Sequence, residues 1–316
     1  MRSPLQGGLP PSGVPAGDVV EIACDESGFS GTNLLNSGAP VITHAGVDLT
    51  GEEAAALIAG LPAGSPHELK SGQLLRRPGV ALDRFFAALT GRAHVHRIDK
   101  RRFLLTRIVD LLLAEPSYAA GTSLARDPRA DALARYTGPG WDAFLTAFTE
   151  LARTKRPGPI GPRVDRFFQT RDLLVRGTPA DPVLDALHPA HVRAVVTRLD
   201  AEDRSIPPPL EPLLPALAET VLFFSRGARR VLVVHDEQSA LTAGRLTRLQ
   251  RALAGPDGVS PLAGLVTVDS RDDPRVQVAD LLAGIARRSV PDALIEAQLM
   301  APETVGQREQ PGPDQR

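Results

Sequence analysis

Three stretches of this chain repeat one event, a short apolar run that ends in a carboxylate. Val19 to Cys24 (VVEIAC) leads into Asp25-Glu26, Arg230 to His235 (RVLVVH) into Asp236-Glu237, and Gly264 to Val268 (GLVTV) into Asp269. The β-branched content predicts buried strands. In open α/β sheets the strand ends are where ligands gather. Aspartates from neighbouring ends approach within a few ångströms there, and such carboxylates repel and are costly to bury alone. A divalent cation removes both penalties. Mg2+ or Mn2+ fits, because a hard cation prefers oxygen and keeps some waters, so two to four carboxylates suffice.

The closing helix, expected over Pro274 to Arg288, adds another acid. Gln277 and Asp280 are three apart and share a face. Val276, Ala279 and Leu282 or Ile285 can pack on the sheet, which turns Asp280 toward the strand ends. Gly284 permits close approach to a neighbour. Asp273-Pro274 has the form of an N-cap followed by proline at the first helical position.

Each acid has an ordinary alternative. Asp25 followed by Glu-Ser-Gly is also a turn sequence. Asp236 could cap a helix, Asp280 could face solvent, and Gln277 could bond a neighbouring backbone. Glu26 and Glu237 are expected on the opposite side of their strands, and Asp269 and Asp273 are weaker candidates. His235 and His67 read as buried, satisfied histidines. His94 and His96 share one strand face but lack a third clear ligand for zinc. Cys24 reads as a small core residue.

The elements that position these groups follow from periodicity. Ala39 to Val47 and Ala93 to Ile98 are expected strands. Thr50 and Glu53 fit a capping box opening a helix over Gly51 to Ala59. Val80 to Leu89, Phe103 to Ala114, Leu210 to Phe224 and Ala240 to Leu253 have helical spacing. The middle, 115–207, shows helical patches at Trp141 to Leu151 and Ala190 to Leu199, with disorder expected around Arg156 to Pro162. It reads as a helical insertion or cap in a discontinuous α/β domain made of 18–114 and 208–290. Residues 1–17 read as a flexible leader and 302–316 as a disordered tail.

Taken in order, DESG at Asp25 to Gly28, HELK at His67 to Lys70, IDK at Ile98 to Lys100, VVHDE at Val233 to Glu237 and QVADLLAG at Gln277 to Gly284 resemble the family called domain of unknown function 3800. The resemblance covers Val19 to Ala114 and Leu210 to Val290. It implies a ribonuclease H-like α/β fold, a mixed sheet flanked by helices. It also implies a metal-dependent nuclease-type centre of Asp25, Glu68, Asp236 and Asp280. Asp25 would bridge two metals, Asp236 and Asp280 would hold one each, and Glu68 would ligate or orient the attacking water. Metals in such a site activate water and stabilise the leaving oxygen of a phosphodiester. Lys70, Lys100 and Gln277 are the expected substrate contacts, with Lys70 either neutralising a phosphate or pairing with Glu68.

Bulk properties set the bounds. The chain has 316 residues and a net charge of −1, so no global basic balance announces nucleic acid. Locally, Arg76 to Arg107 carries nine Arg and Lys against Asp83 and Asp99. That segment either faces phosphates or is a solvated, Arg-biased surface. One cysteine excludes an intrachain disulfide. With no secretory signal and no apolar run of membrane-span length, a cytoplasmic protein is expected. Neither a Walker loop nor a dinucleotide fingerprint is present. The expected function is a metal-dependent phosphodiester hydrolase with nucleic acid as partner. The alternatives are a non-catalytic nucleic-acid or protein-binding module on the same fold, and a hydrolase of small phosphate esters.

Overall fold

The structure, a computed structural model, describes residues 18–29, 31, 33–35, 38–61, 71–76, 79–153, 158–176 and 181–288. The strands are β1 (Val19–Ser27), β2 (Val41–Val47), β3 (Ala93–Asp99), β4 (Arg230–Asp236) and β5 (Leu262–Val268). Between β2 and β3 lie α1 (Gly51–Ala59), α2 (Ser71–Arg76) and α3 (Val80–Leu89). After β3 come α4 (Lys100–Leu112), α5 (Tyr118–Gly121), α6 (Pro128–Leu133), α7 (Pro139–Ala152), α8 (Ile160–Val175), α9 (Pro182–Asp185), α10 (Pro189–Asp200) and α11 (Leu213–Ser225). The last helices are α12 (Ala243–Leu253) and α13 (Pro274–Arg288).

The protein is α/β, with a five-stranded mixed sheet in the order β3-β2-β1-β4-β5. β1 pairs antiparallel with β2 and parallel with β4, so the change of direction occurs at β1. β2 pairs antiparallel with β3, and β4 parallel with β5. Alternation along the strands assigns the two faces. Ala23, Ala45, Val47 and Val234 pack with Phe85, Phe86, Val276, Ala279 and Leu282 of α3 and α13. Ile22, Cys24, Val231 and Val233 pack with Leu214, Leu217, Val221, Leu246 and Leu249 of α11 and α12. A third cluster joins α4 to the central helices through Leu104, Ile108, Phe144, Phe148, Phe167 and Val195, and it also takes in Ile42 and Ile98. The central helices therefore share a core with β2, β3 and α4.

Local chemistry explains several boundaries. Thr50 Oγ1 accepts from the Glu53 N–H at 3.2 Å while Glu53 accepts from the Thr50 N–H at 2.7 Å, which is the expected capping box. Asp99 ends β3 and caps α4 at once, accepting the Arg102 N–H at 2.8 Å, so strand and helix join with no loop. Asp273 accepts the Arg275 N–H at 3.0 Å at the start of α13, as its cap reading predicts. A Cβ on Gly284 would lie 2.7 Å from Ser71 Cβ, so glycine is what lets α2 approach α13.

Two expectations are corrected. Asp25 does not follow the end of its strand: β1 runs on to Ser27 because β2 continues to pair with it. Disorder around Arg156 to Pro162 is not seen in the described part of that segment. Helix α8 begins at Ile160, and Pro162 sits in its first turn, where a missing N–H costs no helical bond. Residues 154–157 lie outside the described residues, as do the expected leader and tail.

Candidate functional site

Pairing of β1 with β4 ends at Cys24 and His235. Asp25 and Asp236 are each the next residue, where β1 leaves β4 and continues along β2. Strand alternation puts both on the face covered by α13. That helix is tied down where Thr43 Oγ1 donates to the Ala283 carbonyl at 2.7 Å. Asp280 rides on it, half-buried.

Asp25 is 6% exposed. Burial pushes its carboxyl from 3.8 up to about 9, helped by the charges of Glu26, Asp280 and Asp236 and opposed by the Glu26 N–H, which donates to Oδ1 at 2.7 Å. Asp25 therefore lies within electrostatic reach of Asp236 and Asp280. Asp236 is half-buried and accepts the Ser270 N–H at 3.1 Å. It borders an open hollow of about 400 Å³ with Glu237, Asp269, Ser270 and Arg271. Among the described residues, no three His, Cys, Asp or Glu side chains already stand at metal-coordinating separations. Glu68, the fourth expected acid, and Lys70 lie outside the described residues, as does His67.

Lys100 opens α4 and is 1% exposed; burial, then the nearby Arg287 charge, holds its ammonium below the ordinary lysine range. Arg287 Nε donates to Ser27 Oγ at 3.0 Å, two residues along β1 from Asp25. Arg287 thus lies near the continuation of β1 beyond Asp25, with Lys100 within reach of its charge. Gln277 is half-buried in the first turn of α13, one turn before Asp280, and its N–H donates to the Asp273 carbonyl at 3.2 Å.

The weaker acids have structural duties. Asp269 is pinned by Arg271 at 2.7 Å, and this pairing lowers its carboxyl to about 2. Glu237 is exposed. Glu26 lies on the opposite face, as expected, where Gln238 donates to it. Burial, then the Asp25 charge, raises the Cys24 thiol, which suits a core residue. Much of the basic segment is neutralised internally: Arg92 pairs with Glu53, Arg101 with Asp142, Arg102 with Asp131 and buried Arg107 with Asp110. The solvated-surface reading is therefore the better one for Arg92, Arg101 and Arg102, while Arg107 belongs to the interior. A hollow of about 510 Å³ beside β3, lined by Arg97, Asp99, Arg102, Arg126 and Asp127, includes none of the central carboxylates.

Sequence reasoning overlooked Arg287. The signal was present, since position 287 is two turns beyond Asp280 and returns to nearly the same helix face. It also overlooked how His44 and His235 meet, which depends on strand register and has no local signature.

Comparison with protein-family models, with curated proteins and with solved structures found no match. No described helix is long and apolar enough to cross a membrane.

Proposed function

We propose that this chain is a divalent-metal-dependent phosphodiester hydrolase of the nuclease type, on a ribonuclease H-like form of the α/β fold. The observation that carries the reading is Asp25, a buried carboxyl within electrostatic reach of Asp236 and Asp280 at the point where the sheet changes direction. Isolated, such a group is held neutral. Beside a cation it ionises and becomes a ligand.

The donor set fits the metal. Asp25, Asp236 and Asp280 offer only oxygen, which Mg2+ and Mn2+ prefer, and Mg2+ completes its shell with water and substrate oxygens. These are also the positions, in the first strand, the fourth strand and the last helix, where resemblance to the 3800 family sets its acids. When bound, the metal would activate water and stabilise the leaving oxygen. Asp25 would be the shared ligand, Asp236 and Asp280 the flanking ones, and Glu68 would orient the water. In this reading Lys100 and Arg287 would supply positive charge to a substrate phosphate and Gln277 a neutral donor. Nucleic acid is the proposed partner because hard-metal ligands of this kind suit a phosphate backbone.

The test is incubation of the purified protein with single- and double-stranded DNA and RNA, with Mg2+ or Mn2+ and with EDTA. Cleavage that EDTA abolishes supports the reading. Binding that survives EDTA, with no cleavage of any polymer or small phosphodiester, overturns it in favour of a non-catalytic module. In the same assay Arg287→Ala should raise KM about 10-fold, the loss of one charge-assisted contact. An unchanged KM would remove Arg287 from the substrate-binding set.

A further inference from the structure

On the face of the sheet away from Asp25, His44 and His235 are both fully buried beneath α11. Their Nε2 atoms stand 3.2 Å apart. Their protonation follows from their other partners. Thr220 Oγ1 lies 3.0 Å from the Ala216 carbonyl, which only accepts, so the hydroxyl proton is used there. Thr220 therefore accepts from His44 Nδ1–H at 2.9 Å. His235 Nδ1 lies 3.0 Å from the Asp236 carbonyl, so it too carries its proton on Nδ1. A neutral imidazole has one N–H. In these tautomers both Nε2 atoms present lone pairs to each other at hydrogen-bonding distance, a contact that a shared proton or a metal cation would complete.

A proton would do this only by making a buried imidazolium. Burial and the other three imidazoles, His235, His96 and His94, hold His44 well below its ordinary range. The nearby pair His94 and His96, 2.8 Å apart through Nε2, needs no such bridge. Among the described residues no acceptor holds a proton on His94 Nδ1, so its Nε2–H can donate to His96.

We propose that His44, His235 and Glu26 form a second metal site, for a borderline divalent cation such as Zn2+, distinct from the carboxylate centre. Metal–nitrogen bonds of about 2.0–2.1 Å at tetrahedral angles separate two nitrogens by roughly 3.3 Å, close to the spacing here. Each ring also donates its remaining N–H to a carbonyl or hydroxyl oxygen, the usual support of a metal-bound histidine. Glu26 supplies the third donor. Its Oε2 has no hydrogen-bond partner and lies 3.8 Å from His235 Nε2, while Oε1 is held by Gln238. It must move about half an ångström closer to complete the set. Imidazole donors select Zn2+ or Co2+ over Mg2+, so the two centres would take different ions. This inference stands on nitrogen geometry and does not depend on the proposed hydrolase.

The experiment strips the full-length protein with chelator, reloads it with Zn2+ or Co2+, passes it through gel filtration and measures retained metal. One Zn2+ per chain is expected, retained in the double variant Asp25→Asn, Asp280→Asn and lost in His44→Gln and in His235→Gln. Thr220→Val, which removes the hydrogen bond orienting His44 together with the hydroxyl's bond to the Ala216 carbonyl but leaves all three donors in place, should weaken binding about 10–100-fold. Failure of the wild type to retain metal overturns the site in favour of a shared proton. Retention in both histidine variants, or loss in the Asp double variant, overturns it as well. If the histidine variants fail to fold by circular dichroism, X-ray absorption on the Zn2+-loaded wild type decides: imidazole scattering is expected, and an oxygen-only shell contradicts it.

Discussion

Replacing Asp25 with Asn should reduce metal-dependent cleavage about 10³-fold or more, the loss of roughly 4 kcal/mol of transition-state stabilisation. The substitution is nearly isosteric, and the amide oxygen can still accept the Glu26 N–H that Asp25 Oδ1 accepts at 2.7 Å. What disappears is the negative charge at the centre of the group. Asp236→Asn should act in the same direction, with its bond from the Ser270 N–H preserved. The double variant should be little worse than either single one, because residues serving one metal centre act as a unit. Asp269→Asn is the control: that carboxylate already belongs to Arg271, so cleavage should not change. Steady-state kinetics on one oligonucleotide in Mg2+ checks all four variants. Wild-type kcat in Asp25→Asn would remove the carboxylate centre from the mechanism.

The same substitution should stabilise the metal-free protein. The unfolded chain releases the Asp25 proton near 3.8, whereas the folded chain holds it up to about 9. Between those values the folded state binds more protons than the unfolded state, so stability falls as pH rises and levels off above the folded value. Asparagine does not ionise and escapes that loss. Each pH unit inside the window is worth up to 1.36 kcal/mol, so a gain of about 2 kcal/mol or more is expected near pH 7.5 in chelator. The gain should shrink to nothing near pH 4. Mg2+ should reverse the order, because only the wild type keeps the full ligand set. Urea midpoints across pH test this; a variant no more stable than wild type near pH 8 in chelator would mean that Asp25 is not buried against other carboxylates.

The sequence shows some of this more clearly than the rest. Arg230 to His235 is apolar without interruption, as a strand covered on both faces must be, and it is the core of β4. The spacing of Val276, Ala279 and Leu282 oriented α13 and so brought Asp280 within electrostatic reach of Asp25. Caps were equally plain, because Thr50, Glu53 and Asp273 act on atoms two or three residues away. Relations set by register were hidden. Asp25 stays within β1 only because Ala45 of β2 lies opposite, and His44 meets His235 only because β1 aligns Glu26 with the one and Cys24 with the other. Helix α8 was obscured by prolines at 157, 159 and 162, although Val164, Phe167 and Phe168 make its buried stripe.

The most direct test of the carboxylate centre is calorimetric titration with Mg2+, which the imidazole pair would not take, near pH 7.5 in two buffers of different ionisation enthalpy. Because Asp25 is protonated at that pH until a cation arrives, binding should release about one proton per chain in the wild type and none in Asp25→Asn. Mg2+ uptake with no proton released, equal in both proteins, would contradict the account.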